Sequence, residues 1–531
     1  MIHDLTLSDV LAEHARSRPL KTAAVDGGTR LTYPRLDERV SRLSDALAAR
    51  GVAAGERVVW LGQNSHAVLE LLLACSRLGA ICCPANWRQS ADELRFVLTD
   101  LAPRVVVWEH SETAAALAGG PVTVPGGWDA GPRAVGAAAR EPDAEGATPL
   151  WVRAGEEYEE LVAGGAVREF PQVADTEPVL ALYTAAFGGR PCAALLSNAA
   201  LVAHSGALLA VRRMEPDFTF LSSGPLFHVG TMMFCLATLQ IGGTNVFTPA
   251  FDPQEVCRLI EAEKVTQAFL FGQMIDALVA ANADRRYDLS SLRFVSHSPA
   301  WDEMITVDDS PWCRSSMGGY GQTEVAGMLT FLGLAPGAAG PAGRPSPFTQ
   351  VRILDPDGAE VPQGEVGEIC ARGKSLFSGY FARPDLNASK SLYGWHHTGD
   401  LGRREPDGTI TFVGPRLRLI KSGNENVYPA EVERVLKTHP AVADAAVIGV
   451  PDRRWRQAVK AIVALRPGAT ATSADLTAHA GAHLAGYKRP RHVEFADAIP
   501  RKGPAPDYDA LDAAHGGGGY PGAPVTGSPA D

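Results

Sequence analysis

The 531-residue chain predicts an α/β protein with a large domain and a smaller α+β domain. Three observations carry this. Segments of strand and helix period alternate through the first third. Short strands joined by Asp-Gly turns fill residues 351–415. After about residue 417 the pattern changes to a compact set of helices and strands. Such a length implies several domains, and a hydrophobic content of 46% suffices for large cores.

In order along the chain, Leu36, Val40, Leu43 and Leu47 recur at helical spacing and stop at Gly51, a suitable C-terminal cap. "RVVWL" (57–61) reads as a buried strand, a helix follows from about Ser65, and "ICCP" is the next strand. Strand, helix, strand at this spacing is a βαβ unit of parallel sheet. The apolar run through it is broken by Glu70 and Arg77, so it reads as helix then strand, not as a membrane span. The pattern repeats around "GGTNVF" and "VTQAFLFG". "VRILDPDG", "GEICARG" and "GTITFVG" make the β-rich region. Then come a helix at 429–438, strands "AAVIGV" and "AVKAIVAL", and a helix near 473–486. From residue 512 the Gly-, Pro- and Ser-rich tail is expected to be disordered.

A net charge of -11 argues against nucleic acid or an anionic membrane as partner. The 8 cysteines show no paired spacing, and adjacent Cys82 and Cys83 read as reduced, buried thiols. The N-terminus has neither a basic region nor a long apolar stretch, so a cytoplasmic location is expected.

"LYTAAFGGRPCAALLSN" (182–198) has the outline of a phosphate-binding loop, with glycines and a proline between a strand and a helix. Yet residues 185–192 contain no hydroxyl side chain and no lysine. Six further blocks explain the outline: "GPLFHVG" (224–230), "GGYGQTEVAG" (318–327), "GEICARGKSLFSGYF" (367–381), "GWHHTGDLG" (394–402), "IKSGNENVYPAEVE" (420–433) and "LAGYKRPRHVEF" (484–495). In this order they resemble the adenylate-forming (ANL) superfamily of acyl-CoA synthetases, luciferases and peptide-synthetase adenylation domains.

The resemblance implies two half-reactions. A carboxylate attacks ATP, giving an acyl-adenylate and pyrophosphate. The small domain then rotates, and the thiol of coenzyme A displaces AMP. It also implies an N-terminal domain over 1–417 (two stacked αβ subdomains plus the β-rich one), a mobile C-terminal domain over 418–511, and a tail over 512–531. By position, Asp400 would bind the ribose hydroxyls, Tyr320 would pack on the adenine, and Gly319 and Ser298 would lie beside the nucleotide. Thr323 would contact the AMP phosphate, and Glu324 falls at the magnesium-binding glutamate. His228 would line or gate the acyl and pantetheine channel, and with Gly423 and Thr323 forms the expected catalytic set. Arg88, Tyr487, Arg489 and Gly423 are the expected coenzyme A contacts; arginine suits phosphate because its fork binds bidentately. Arg418 falls at the hinge.

Departures from the pattern are concentrated in the first half-reaction. The family loop reads roughly YTSGTTGxPKG. This chain keeps Tyr183, Thr184, Gly189 and Pro191, but has Ala185, Ala186, Phe187 and Gly188 for Ser-Gly-Thr-Thr and Cys192 for lysine. Each change removes a donor or adds bulk. Pro506 stands at the position of the C-terminal catalytic lysine, with Lys502 four residues earlier. A charge-stabilising group on a transferring phosphoryl is worth about 10³–10⁵ in rate, roughly 4–7 kcal/mol. "SHSPA" (296–300) replaces Gly-Gly-Ala-Pro and puts Ser296 and His297 at the adenine, while Pro415 replaces a family arginine.

The expectation is therefore a chain similar to the non-adenylating acyl-CoA ligases of platensimycin/platencin-type biosynthesis, running acyl-AMP + CoA → acyl-CoA + AMP. A partner synthetase would supply the acyl-adenylate, the acyl group would be a bulky terpenoid-type acid, and neither magnesium nor a resident metal would be required. Segments around Met232, Trp301 and Gly318 would line the acyl pocket. Monomer and homodimer both stay open. So do a complete synthetase with a divergent loop, a non-catalytic acyl- or nucleotide-binding regulator, and transfer to a carrier protein or amine.

Overall fold

The computed structural model describes residues 2–109, 149–184, 191–315, 318–335, 337, 339–416, 418–423, 425–502 and 505–520. The large domain holds two sheets flanked by helices. One has seven strands, in the order Gly379–Tyr380, Cys192–Ser197, Pro178–Thr184, Ile81–Pro84, Arg57–Leu61, Val105–Trp108, Leu150–Arg153. Its five central and outer strands from Pro178–Thr184 to Leu150–Arg153 are parallel. The second has five strands, with Thr219–Ser222, Thr244–Phe247 and Thr22–Asp26 parallel at its centre. The third subdomain is an antiparallel sheet of Thr349–Leu354, Gly367–Gly373, His396–Arg404 and Ile410–Pro415.

These elements follow from local chemistry. The helix Tyr33–Ala48 begins at a Thr32 cap with Pro34 in its first turn. The helix His66–Leu78 begins at Ser65 and ends on Gly79 at φ 68°, a conformation that suits glycine. Between these helices lies a buried charge cluster. Glu70, which interrupts the apolar run, is fully buried and accepts from Arg39 at 2.6 and 3.1 Å and from the Tyr158 hydroxyl at 2.7 Å. Glu159 completes the cluster from the half-exposed side, 2.7 Å from Arg39. The 8 cysteines are all buried thiols.

The small domain is a five-stranded sheet centred on the long pair Val442–Asp452 and Arg456–Leu465, covered by the helices Pro429–Leu436 and Ser473–His483. The tail expected from residue 512 is corrected in part. The helix Tyr508–His515 crosses that boundary, and the chain continues in contact with the domain to Tyr520. Tyr520 accepts from the Gly449 amide and donates to Asp512, both at 2.9 Å, while Gln457 donates to the Gly518 carbonyl at 2.6 Å. One aromatic residue and one acidic residue anchor this stretch despite its glycines. Arg418, at the expected hinge, is fastened to the same segment. It pairs with Asp512 and, at 3.0 Å, with Asp509, and lies over the rings of Tyr508 and Tyr520.

Removing one member of a buried ion pair leaves an uncompensated charge, which costs about 3–5 kcal/mol. Glu70→Ala should lower the unfolding free energy by about that much in urea titrations. Glu159→Ala, at the exposed end, should cost under about 1 kcal/mol.

Candidate active site

A cavity of about 520 Å³ lies where the small domain covers the large one. Pro84 and Asn86 stand at the end of the strand Ile81–Pro84, and Thr184 ends Pro178–Thr184. The cavity thus sits at the carboxyl ends of parallel strands, where open α/β sheets bind ligands.

On the large-domain side, Asp400 accepts from the Tyr320 hydroxyl at 2.6 Å, and Gln322 donates to that hydroxyl at 3.1 Å. Tyr320 stacks on Phe412 with centroids 5.5 Å apart. Burial pushes the Asp400 carboxyl above its ordinary value, against the pull of Tyr320 and Lys390. Asp400 is aimed by its own turn. Glu368 accepts from the Gly399 amide at 2.9 Å and meets His397 Nδ1 at 3.0 Å, while Thr398 donates to the Ile369 carbonyl at 2.6 Å. Glu368, Cys370 and His397 bring their donor atoms within 4.8 Å of one another, but these hydrogen bonds already commit Glu368 to the turn. Glu324 is buried and accepts from the Tyr380 hydroxyl at 2.8 Å; burial pushes its carboxyl up.

On the other side, the antiparallel pair Ile420–Ser422 and Glu425–Val427 projects into the cavity. Glu425 Oε1 lies 3.2 Å from His228 Nε2 and accepts from Arg88 at 2.5 Å. His228 caps the helix Val229–Ile241, and Arg88 lies over the Phe227 ring. Burial opposes ionisation of Glu425, but His228, Arg88 and Lys421 outweigh it and hold the carboxyl at about 2. Lys421 donates to Asn426 at 2.5 Å, and burial pulls its ammonium below the ordinary lysine value.

The cavity therefore gathers His228, Gly319, Tyr320, Thr323, Glu324, Asp400 and Tyr487 of the expected set. Arg88 joins through Glu425. Gly423, at φ 65°, stands in the connection between the two strands of the projecting pair, outside the cavity lining, where a Cβ would meet Trp455 at 3.4 Å. Ser298 is elsewhere, capping the short helix Pro299–Asp302, and Arg489 is exposed outside the lining. Ser296 donates to Asp302 and His297 meets Asp276, so both face away into local contacts. Met232 and Trp301, expected around the acyl pocket, are packed in two separate cores. The loop reading falls on residues 185–190, outside the described residues; Thr184 and Pro191 on its flanks line the cavity. Sequence reasoning passed over Glu425, Lys421, Asn426, Tyr428 and Phe412. The first four lie inside a quoted block, and their signal was a run of polar groups on a two-stranded turn.

Fold and site together define a two-domain enzyme with a nucleotide-type cavity between the domains. The chain belongs to the AMP-binding enzyme family, which matches residues 11–381, with the AMP-binding enzyme C-terminal domain matching 431–505. It is 38% identical over 498 residues to a feruloyl-CoA synthase of Amycolatopsis sp., covering 92% of this chain and 94% of the relative. It is 34% identical to an indoleacetate–CoA ligase of Aromatoleum aromaticum, covering 94% and 95%. The amide bond synthetase McbA of Marinactinospora thermotolerans shares the architecture, with a TM-score of 0.74, 27% identity, and 96% and 100% of the chains covered. This is an acyl-CoA ligase of the ANL superfamily. Among the described residues, no helix is long and apolar enough to cross a membrane.

Two buried histidines behind the site stay neutral. His204 accepts from the Met328 amide at 2.8 Å, and burial pulls it down to about 4. His396 lies 3.1 Å from Gln322 and is pulled down to about 3 by burial. The unfolded chain binds more protons below the ordinary histidine value of about 6.5, so stability falls as pH drops. Between pH 7 and 4.5 each should contribute a loss of about 2–3 kcal/mol in urea unfolding. His204→Gln should flatten that slope by one histidine's share.

Proposed function

We propose that this ligase carries out the thioester-forming half-reaction alone, taking an acyl-adenylate supplied by a partner synthetase. The observation that carries this reading is the orientation of the small domain. Its Ile420–Val427 face looks into the cavity and reaches His228 through Glu425. The Arg501–Lys502 and Ala505–Pro506 hairpin, where the family lysine would stand, is outside the cavity lining, with Lys502 exposed and 3.9 Å from Asp509. The loop sequence 185–192, without hydroxyl or lysine, supports the same reading.

In this reading Asp400 holds the ribose and Thr323 the AMP phosphate. His228 takes the thiol proton, and the Glu425 carboxylate stabilises the imidazolium. Sulfur then bonds to the acyl carbon as the carbon–oxygen bond to AMP breaks; the step is mostly positioning. The nucleotide end of coenzyme A has a suitable surface in Trp455, whose ring carries Arg454 and Arg491 at 5.0 and 4.4 Å beside Gly423. Relatives named for feruloyl and indoleacetate favour an aryl acid as the acyl group over a terpenoid one. The second reading is a complete ATP-dependent synthetase, favoured by the 38% identity to a feruloyl-CoA synthase.

Mass spectrometry of thioester products separates the two. An aryl-adenylate with coenzyme A should give thioester at a rate unchanged by EDTA, because the pyrophosphate-linked magnesium has no part in this half. Acid, ATP, magnesium and coenzyme A should give none; thioester from that mixture establishes the second reading. In the same assay Asp400→Asn should raise the KM for the adenylate about 10- to 100-fold, as charge-assisted hydrogen bonds are worth about 1.5–3 kcal/mol.

A further inference from the structure

We infer that Lys488, with Glu93 and Glu431, positions the small domain in the orientation from which coenzyme A attacks. The inference rests on the thioester-forming reading of that orientation. Lys488 Nζ lies 2.6 Å from Glu93 Oε1 and 2.6 Å from Glu431 Oε1, and the three side chains are 6%, 1% and 2% exposed. Glu93 belongs to the large domain, whereas Lys488 and Glu431 belong to the small one. Burial works against the charge on Lys488, but Glu431 and Glu93 outweigh it and hold its pKa above the ordinary lysine value.

The contacts around this trio come from one short stretch of each domain. Glu93 Oε2 accepts from the Ala485 amide at 2.8 Å and from the Ser90 amide at 2.9 Å, so the residue that closes the cap of the helix Ala91–Leu101 also grips the small domain. Ser90 donates to the His483 carbonyl at 2.9 Å, and His483 Nδ1 meets Asp92 at 2.6 Å. Asn86 reaches the Tyr487 hydroxyl at 3.5 Å. Among the described residues, other polar contacts between the domains, Arg88 and His228 to Glu425 and Gln273 to the Arg454 carbonyl, involve more exposed side chains.

The electrostatics make the trio dependent on docking. With Lys488 in place, two carboxylates share one cation in a dry interface. Without it they face each other unpaired, and undocking is the route by which both regain water. Lys488 and Glu431 stand on the small-domain side of the cavity lining, whereas Glu93 lies outside it, so a change at Glu93 acts on domain orientation without touching a ligand in the cavity.

The test uses the full chain with Lys488→Met and, separately, Glu93→Gln, which keeps the side-chain size and the bond from Ala485. Interdomain distance is read in solution by fluorophore pairs and small-angle scattering. Thioester kcat is read with aryl-adenylate and coenzyme A, and adenylate affinity is read by calorimetry without coenzyme A. The expected result is a broadened interdomain distance and a kcat at least tenfold lower in Lys488→Met, with a smaller fall in Glu93→Gln. Adenylate affinity should stay within twofold in Glu93→Gln, whose side chain lies outside the cavity lining, which also shows that the large domain is folded. An unchanged interdomain distance in Lys488→Met overturns the inference, whatever happens to kcat. If the distance broadens but the parent enzyme makes no thioester from adenylates, the positioning role stands and the functional reading falls.

Discussion

Glu425 reaches out of the small domain and meets His228 and Arg88 of the large one with a single carboxylate oxygen. Either domain alone presents half a cavity. The large domain brings Asp400, Tyr320 and Thr323 to the carboxyl ends of its strands, and the small domain adds Lys421, Glu425 and Asn426. The chemistry of the site is therefore a property of domain orientation. A carboxylate in a largely buried setting keeps its charge only while cations surround it, so the Glu425 contact and the docked arrangement sustain each other.

The same logic of buried charge recurs at three scales. Glu70 and Arg39 tie two helices of the large domain together. Glu368 fixes the turn that carries Asp400. Lys488 spans the two domains. Burying such groups is weak evidence for added stability, since well-packed apolar residues do as well. What charged groups add is directionality. A carboxylate that accepts from a named amide fixes an angle as well as a distance, and Glu368 and Glu93 both do so on elements that line or close the site.

The fold was legible because its signals are local. The βαβ unit through "RVVWL" and "ICCP", the Asp-Gly turns of the antiparallel subdomain and the caps at Ser65 and Gly79 all depend on neighbours in sequence. Much of the site was legible for a related reason, since Tyr320, Thr323 and Asp400 sit in short blocks with recognisable spacing. Glu93 and Lys488 lie 395 positions apart, and no periodicity joins them. The stretch from Asp512 to Tyr520 misled through composition. Four consecutive glycines from Gly516 suggested disorder, yet Tyr520 and Asp512 close around Arg418 and Gly449. Composition reports average tendency, whereas one ring and one carboxylate with fixed partners can order a short segment.

The departures in this sequence have a pattern of their own. They fall at the loop 185–192 and at Pro506, which the resemblance ties to ATP and its activation, at the "SHSPA" segment, which it ties to ATP and AMP alike, and at Pro415, where it places an arginine. Asp400 and the contacts that aim it are retained, and the small domain brings Lys421, Glu425 and Asn426 to the cavity. A chain whose adenylate arrives ready-made has no need to hold triphosphate, and its loop is then constrained only by folding. It must still exclude water from an activated acyl group and bring a thiol to it, and those tasks fall on the interface between the domains. In the proposed reading the changes at the loop and at Pro506 follow from the step those positions face, and they go together with a small domain turned toward thiol attack.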